Sequence, residues 1–366
     1  MPELTLPIDG ELARVRIERA CPYRPPAAPL KSRVAYAAAH VVPLGDAIDW
    51  ERTLAFRRHV WSYGLGVAEA MDTSQRGMGF SWDGAKELIA RSLAERGGLI
   101  ACGAGTDQLP DEPCSLEQIG AAYEEQCEWI ERHGGRVILM ASRSLAHAAR
   151  SKDEYASVYS RVLGQLKQPA ILHWLGDMFD PKLAGYWGSS DLDEAMATCL
   201  CVIRDNVDRI DGIKISLLDA QREIDMRARL PRGVRMYTGD DFNYDRLILG
   251  DDASYSHALL GIFDAIAPAA SAAIQALDGG DAAAFARILE PTIPLSRHIF
   301  QSPTYLYKTG IVFLAWLNGH QAEFKMVGGM ESARDLGHLS KLLVLAEQAG
   351  VLADPEMACA RMRTLL

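Results

Sequence analysis

Lys214 stands in the stretch Ile210-Asp211-Gly212-Ile213-Lys214-Ile215-Ser216, where isoleucines at every second place bracket a lone lysine. If that run is a central strand, burial disfavours the ammonium, and the neutral amine becomes accessible near neutral pH. A neutral lysine amine is what Schiff-base chemistry on a carbonyl substrate requires. Two plainer roles compete with it: a strand-end lysine snorkelling to solvent, or one paired with Asp211.

Other residues suit the same chemistry. His173, in Leu172-His173-Trp174, has an imidazole fitted to moving protons near neutral pH, although a core histidine bonded to a backbone carbonyl is the ordinary alternative. Thr73 and Ser74 offer hydroxyls and backbone N–H groups that could hold a carboxylate, or simply cap a turn. Tyr237, Gly239 and Asp240 fall at another predicted strand end, with Tyr237 the second candidate for proton transfer and Gly239 and Asp240 candidates for substrate contact. A different class of function rests on His40, Glu69, Asp72 and His173: two histidines and two carboxylates could bind a divalent metal in an isomerase or hydro-lyase. Those four are scattered rather than motif-spaced, which favours the lysine chemistry, and that chemistry needs no metal or cofactor. A binding protein without turnover is the third class.

To bring these residues together the chain needs a scaffold of strand ends. Apolar runs at Val34–Pro43, Gly64–Met71, Gly98–Gly103, Arg136–Met140, Pro169–Trp174, Ile210–Ser216, Val234–Gly239 and Tyr255–Ile262 read as strands. Helical periodicity separates them at Asp46–Tyr63, Trp82–Ala94, Ser115–His133, Ser151–Leu166, Asp191–Val207 and Gln221–Ala228. Ser81 and Ser115 are predicted N-caps, and Gln118 completes a capping box with Ser115. This alternation predicts an α/β fold, a (β/α)8 TIM barrel over 33–268, with 1–32 as an N-terminal extension holding a short strand at Leu12–Glu18. A doubly wound sheet competes, but no dinucleotide glycine fingerprint supports it. Helical patterns at Ala269–Leu277, Asp281–Phe300, Thr304–Asn318 and Ser332–Ala349 make 269–366 a C-terminal helical region.

Composition narrows the classes further. Thirty-eight basic against 48 acidic residues give a net charge of −10 with no basic block, which argues against nucleic acid as partner. No run approaches the roughly 18 apolar residues needed to cross a bilayer, so no membrane role is expected. Seven irregularly spaced cysteines, without a Cys-x-x-Cys pair, suit a reducing cytoplasm.

Several stretches, in order, resemble the dihydrodipicolinate synthase/N-acetylneuraminate lyase family of class I pyruvate aldolases. Asp72-Thr73-Ser74-Gln75-Arg76 with the following Phe80-Ser81 is similar to the family's Gly-Thr-Thr-Gly-Glu segment. Ala101-Cys102-Gly103-Ala104-Gly105 resembles its third-strand glycine motif, and Asp211-Gly212-Ile213-Lys214 its Schiff-base strand. Thr238-Gly239-Asp240-Asp241 is similar to its Ser-Gly-Asp-Asp, and Phe300-Gln301-Ser302-Pro303 with Lys308 to its tail. The resemblance implies a Schiff-base lyase, aldolase or dehydratase acting on a small-molecule 2-oxo acid or keto-sugar derivative through Lys214, with Thr73 and Ser74 on the carboxylate. It also implies a homo-oligomer, to which the apolar stripe Leu342, Leu343, Leu345 and Ala346 would contribute. The departures are specific. His173 stands where the family has a proton-relaying tyrosine, Gln75 and Arg76 replace its glycine and glutamate, and Ala141-Ser142-Arg143-Ser144 replaces Pro-Tyr-Tyr.

Overall fold

The computed structural model describes residues 3–366. The chain opens with a hairpin, β1 (Glu3–Ile8) antiparallel to β2 (Glu11–Arg16). The barrel begins with β3 (Ala35–Ala38). A two-residue ribbon follows, β4 (Pro43–Leu44) against β5 (Ala47–Ile48), before α1 (Trp50–Ser62). The helix predicted from Asp46 therefore starts later, because Asp49 caps it by accepting from the Arg52 N–H.

Then strand and helix alternate: β6 (Gly66–Glu69), α2 (Trp82–Glu95), β7 (Ile100–Ala104), α3 (Leu116–Arg132), β8 (Arg136–Leu139), the short α4 (Arg143–Ala148), α5 (Lys152–Gln165), β9 (Ala170–Leu175) and α6 (Leu192–Asp205). They continue with β10 (Ile210–Ser216), α7 (Ala220–Arg229), β11 (Arg235–Thr238), the short α8 (Tyr244–Leu249) and β12 (His257–Leu260). The eight strands from β3 to β12, β4 and β5 aside, close a barrel in sequence order, every pair parallel. Ser115 and Gln118 form the reciprocal capping box that their spacing predicts.

Two apolar layers explain why the strands read as nearly continuous hydrophobic runs. Tyr36, Ala38, Ala68, Ile138, Ile171, Tyr237 and Leu259 fill the barrel interior. Ile213, Ile215, Val67 and Leu172 face the surrounding helices. Side chains alternate along a strand, so with Ile213 and Ile215 outward, Lys214 points inward.

After the eighth strand, α9 (Ile262–Asp278) runs through Pro268, bending at Ile266, and so crosses the position where the barrel was drawn to end. The predicted helix Asp281–Phe300 is two helices, α10 (Ala282–Leu289) and α11 (Thr292–Ile299), because Pro291 interrupts it. Next come α12 (Tyr307–Leu317), buried at every residue, α13 (Leu336–Ala349) and α14 (Pro355–Arg363). The N-terminal hairpin packs on these last helices. Leu4 and Leu6 are buried, Lys341 pairs with Asp9 at 3.0 Å, and the Cys21 N–H bonds to the Leu352 carbonyl. Leu342, Leu343 and Ala346, expected to meet another subunit, are buried in the chain's own core. No helix is long and apolar enough to cross a membrane.

Candidate active site

Lys214 lies at the carboxyl-terminal mouth of the barrel and is only 6% exposed. It lines a small cavity with Asp72, Thr73, Leu175, Phe179, Ser216, Asp241, Gly261 and Tyr307. Burial lowers its pKa, and the carboxylates of Asp72 and Asp241 act against that only through space. Asp211, the partner that would have made Lys214 a plain structural residue, is engaged elsewhere. A register shift between Ile210 and Gly212 turns it toward the lower rim, where it pairs with Arg235 and Arg136.

That same turn decides Tyr237, and here the structure corrects the sequence expectation. Its hydroxyl donates to Asp211 at 2.7 Å and its ring packs over Gly212 and against Tyr36, so it plugs the barrel floor instead of serving the lysine. Asp240 is corrected too. Its carboxylate accepts from the backbone N–H groups of Phe242 and Asn243 and from the Asn243 side chain, which holds the loop after β11. Its neighbour Asp241 reaches the cavity. Burial pushes the Asp241 carboxyl up to about 7, although the Ile262 N–H and Lys214 favour its anion. Gly239 contributes space rather than contacts: a Cβ there would stand 2.8 Å from Lys214 Cε and 2.3 Å from Ser216 Oγ.

Thr73 and Ser74 part company. They lie in a single turn of 3-10 helix (Asp72–Ser74) after β6. The Ser74 hydroxyl donates to the Met71 carbonyl at 2.7 Å and stays within the turn. Thr73 Oγ1 lies 2.9 Å from the Tyr307 hydroxyl and faces the cavity.

His173 is next to Lys214 across the β9–β10 pairing. Its Nε2 lies 3.3 Å from Ser216 Oγ. Burial first, then the nearby lysine, hold its pKa well below the ordinary histidine range, so the ring is neutral. It lines a groove of about 330 Å³ that opens over the ends of β7, β8 and β9. This groove adjoins the lysine cavity, with Asp72 and Leu175 lining both. Its walls are polar. Thr106 and Ser142 hydroxyls lie 2.6 Å apart, Arg143 pairs with Asp180, and Arg76 pairs with Asp107 and donates to Gln126. Arg76, which replaces the family's glutamate, thus builds a wall of the groove.

The proposed metal ligands do not converge. The His40 ring meets Asp264 at 2.7 Å behind the barrel wall, and Glu69 is held by Arg57 through two hydrogen bonds and by Ser92. Only Asp72 and His173 reach the mouth. Among the described residues no group of three or more His, Cys, Asp or Glu side chains is placed to hold a metal ion.

Sequence reasoning missed Ser216, Asp241, Phe179 and Tyr307. Ser216 was accessible to it, being two residues from Lys214 on the same strand face. Tyr307 carried no such signal, because it opens a helix buried on all sides.

This architecture, a parallel (β/α)8 barrel with an inward lysine at its mouth and helices appended at its C-terminus, is the fold of the dihydrodipicolinate synthases. Similar solved structures include YagE, a prophage protein belonging to the dihydrodipicolinic acid synthase family from E. coli, in complex with pyruvate (TM-score 0.70, 13% identity, covering 87% of this chain and 99% of that one). Dihydrodipicolinate synthase from Aquifex aeolicus matches at a TM-score of 0.68 and 11% identity, over 87% of this chain and 99% of that one. The 4-hydroxy-tetrahydrodipicolinate synthase of Methylacidiphilum fumariolicum matches at 0.66 and 17%, over 91% and 99%. At such identities the likeness is one of fold. The chain itself belongs to the family described as "Protein of unknown function (DUF993)", which matches residues 4–366. No curated protein matches it.

Proposed function

We propose that this protein is a class I lyase that cleaves, condenses or dehydrates a 2-oxo acid or keto-sugar derivative through an imine on Lys214. The observation that carries this is the inward, buried Lys214 whose pKa is lowered by desolvation in a cavity that adjoins a polar groove. The neutral amine attacks the substrate carbonyl, and the protonated imine then draws electrons from the adjacent carbon–carbon or carbon–hydrogen bond. His173 moves the proton on the part of the substrate lying in the groove, a role its neutral ring and its position beside Lys214 support. Thr73 meets the substrate's carboxylate or carbonyl end. The pyruvate complex of the similar YagE structure favours a keto acid at this end.

Seven unpaired cysteines suit a reducing cytoplasm as the place of work. Self-assembly rests on the family resemblance alone, and a concentration-independent monomer mass in light scattering removes it.

Borohydride trapping with a panel of keto acids and keto sugars, read by mass spectrometry, tests the chemistry. An adduct on Lys214 that is absent from Lys214→Ala, together with loss of turnover, is the expected result. His173→Phe should still form adduct while turning over more slowly, by roughly 100-fold or more if it moves the proton. Normal turnover in Lys214→Ala ends the Schiff-base reading.

A further inference from the structure

Imine formation needs a proton at the substrate's oxygen, and His173, which lines the groove, has its Nε2 turned to Ser216 Oγ. On the cavity's other side stands Tyr307, the first residue of α12, 4% exposed and 2.9 Å from Thr73 Oγ1 through its hydroxyl. The ring is fixed on its faces and edges. Phe300 stacks on it with centroids 4.4 Å apart and planes 14° from parallel, and Phe179 meets it edge-on. Gly261 leaves room for it, since a Cβ there would come within 3.2 Å of the ring. Burial, with Asp72 and Asp241 adding to it, pushes the phenol's pKa well up, so it is held as a neutral donor.

We propose that Tyr307, supplied by the C-terminal helical region of the same chain, is the proton donor that converts the substrate carbonyl into an imine on Lys214, with Thr73 positioning its hydroxyl and passing protons to it. This rests on the Schiff-base reading above and assigns that reading its missing acid. In the first step the Lys214 nitrogen bonds to the carbonyl carbon, and the carbonyl π pair moves to oxygen, which takes the Tyr307 proton. A proton leaves the new nitrogen through the Thr73 hydroxyl and restores the phenol, giving a neutral carbinolamine. In the second step the carbon–oxygen bond breaks, the oxygen takes the phenol's proton and leaves as water, and the nitrogen lone pair completes the iminium. Tyr307 then regains a proton from solvent at the mouth. That proton equals the one Lys214 released on becoming a free amine, so ammonium plus carbonyl gives iminium plus water.

Rapid-quench borohydride trapping with pyruvate and with dihydroxyacetone as probes tests this, using the full chain. Tyr307→Phe keeps the ring stacking, and adduct formation on Lys214 should slow by roughly 100-fold or more, the usual worth of a positioned acid. Thr73→Val should slow it similarly while Thr73→Ser restores it, which a purely structural threonine would not do. Melting curves report whether each variant is folded. A wild-type trapping rate in folded Tyr307→Phe overturns the donor assignment and leaves the Schiff base standing. A wild-type rate in Thr73→Val removes the threonine's part. No adduct on the wild-type chain with either probe overturns the Schiff-base reading, and the donor with it.

Discussion

Replacing Gly239 by alanine tests at once how tightly the lysine is built in and whether its placement governs chemistry. The new methyl would stand 2.3 Å from Ser216 Oγ, 2.6 Å from the Ile215 carbonyl oxygen and 2.8 Å from Lys214 Cε. Ordinary contacts of this kind are about 3.5–4.0 Å, so all three must give. The Ile215 contact cannot relax alone, because the Gly239 N–H donates to that same oxygen at 2.8 Å, and moving away weakens the bond. Overpacking of this sort costs about 1–3 kcal/mol, against roughly 0.4–1 kcal/mol gained from a stiffer unfolded chain. A net loss of about 1–2 kcal/mol in urea denaturation is expected, with slower borohydride trapping as Lys214 is pushed from its cavity. Adding Ser216→Ala removes the closest contact but neither of the others, so the double variant should recover part of the stability and little of the trapping rate. Gly164→Ala is the control. Nothing lies within 4 Å of a Cβ there, inside α5, so it should be neutral or stabilising by up to about 1 kcal/mol. An unchanged midpoint and trapping rate in Gly239→Ala would refute the packing argument and, with it, the reason Lys214 is held where it is.

Two further predictions concern buried charge and carry opposite signs. Burial pushes the Glu223 carboxyl up to about 8, although the Ser256 hydroxyl donates to it. The native state therefore keeps a proton that the unfolded chain loses near pH 4.5, and this group's stability is full below that pH and declines toward pH 8. Glu223→Gln should flatten that decline, which is worth on the order of 3–5 kcal/mol at most, in melts taken from pH 5 to 8. Lys308 is lowered to about 8 by burial, and its ammonium donates to the Tyr305 carbonyl. Its cost is fully present below pH 8 and fades as pH rises toward the unfolded lysine value near 10.5. Lys308→Met should therefore stabilise the chain by about 1–3 kcal/mol at pH 7 and remove the gain in stability above pH 8, and a destabilised Lys308→Met would show that the charge is needed for the fold.

The barrel was legible because each of its strands is covered on both faces, leaving apolar runs that stand out between capped helices. Ser81, Ser115 and Asp191 cap helices by local geometry that the sequence carries within three residues. What failed to show was tertiary. The alternation at Leu12–Glu18 announced one strand of what is a local hairpin with β1, but the packing of that hairpin on α13 joins residues more than three hundred positions apart in the chain. The apolar stripe of α13 looked like a subunit contact because sequence cannot say which surface of the same chain will cover it.

The site divides along the same line. Lys214 and Ser216 follow from a period of two on one strand, and Thr73 from a turn just beyond another. Which of Asp240 and Asp241 faces the lysine depends on how the loop satisfies its own backbone. Asp240 is consumed by two N–H groups of that loop, so the adjacent carboxylate is the one left for the cavity. Tyr237 sits level with Lys214 in the β10–β11 register, and register alone would put it at the mouth. The irregularity at Asp211 supplies an acceptor on the floor, and the ring turns toward it. Tyr307 comes to the lysine cavity from the other end of the chain. Where the resembling family has its relay tyrosine this chain has a histidine lining the groove, so in the proposed reaction a phenol for the imine has to arrive from outside the barrel. The helical region beyond Pro268 supplies one, and on that proposal it is part of the active site rather than an appendage to it.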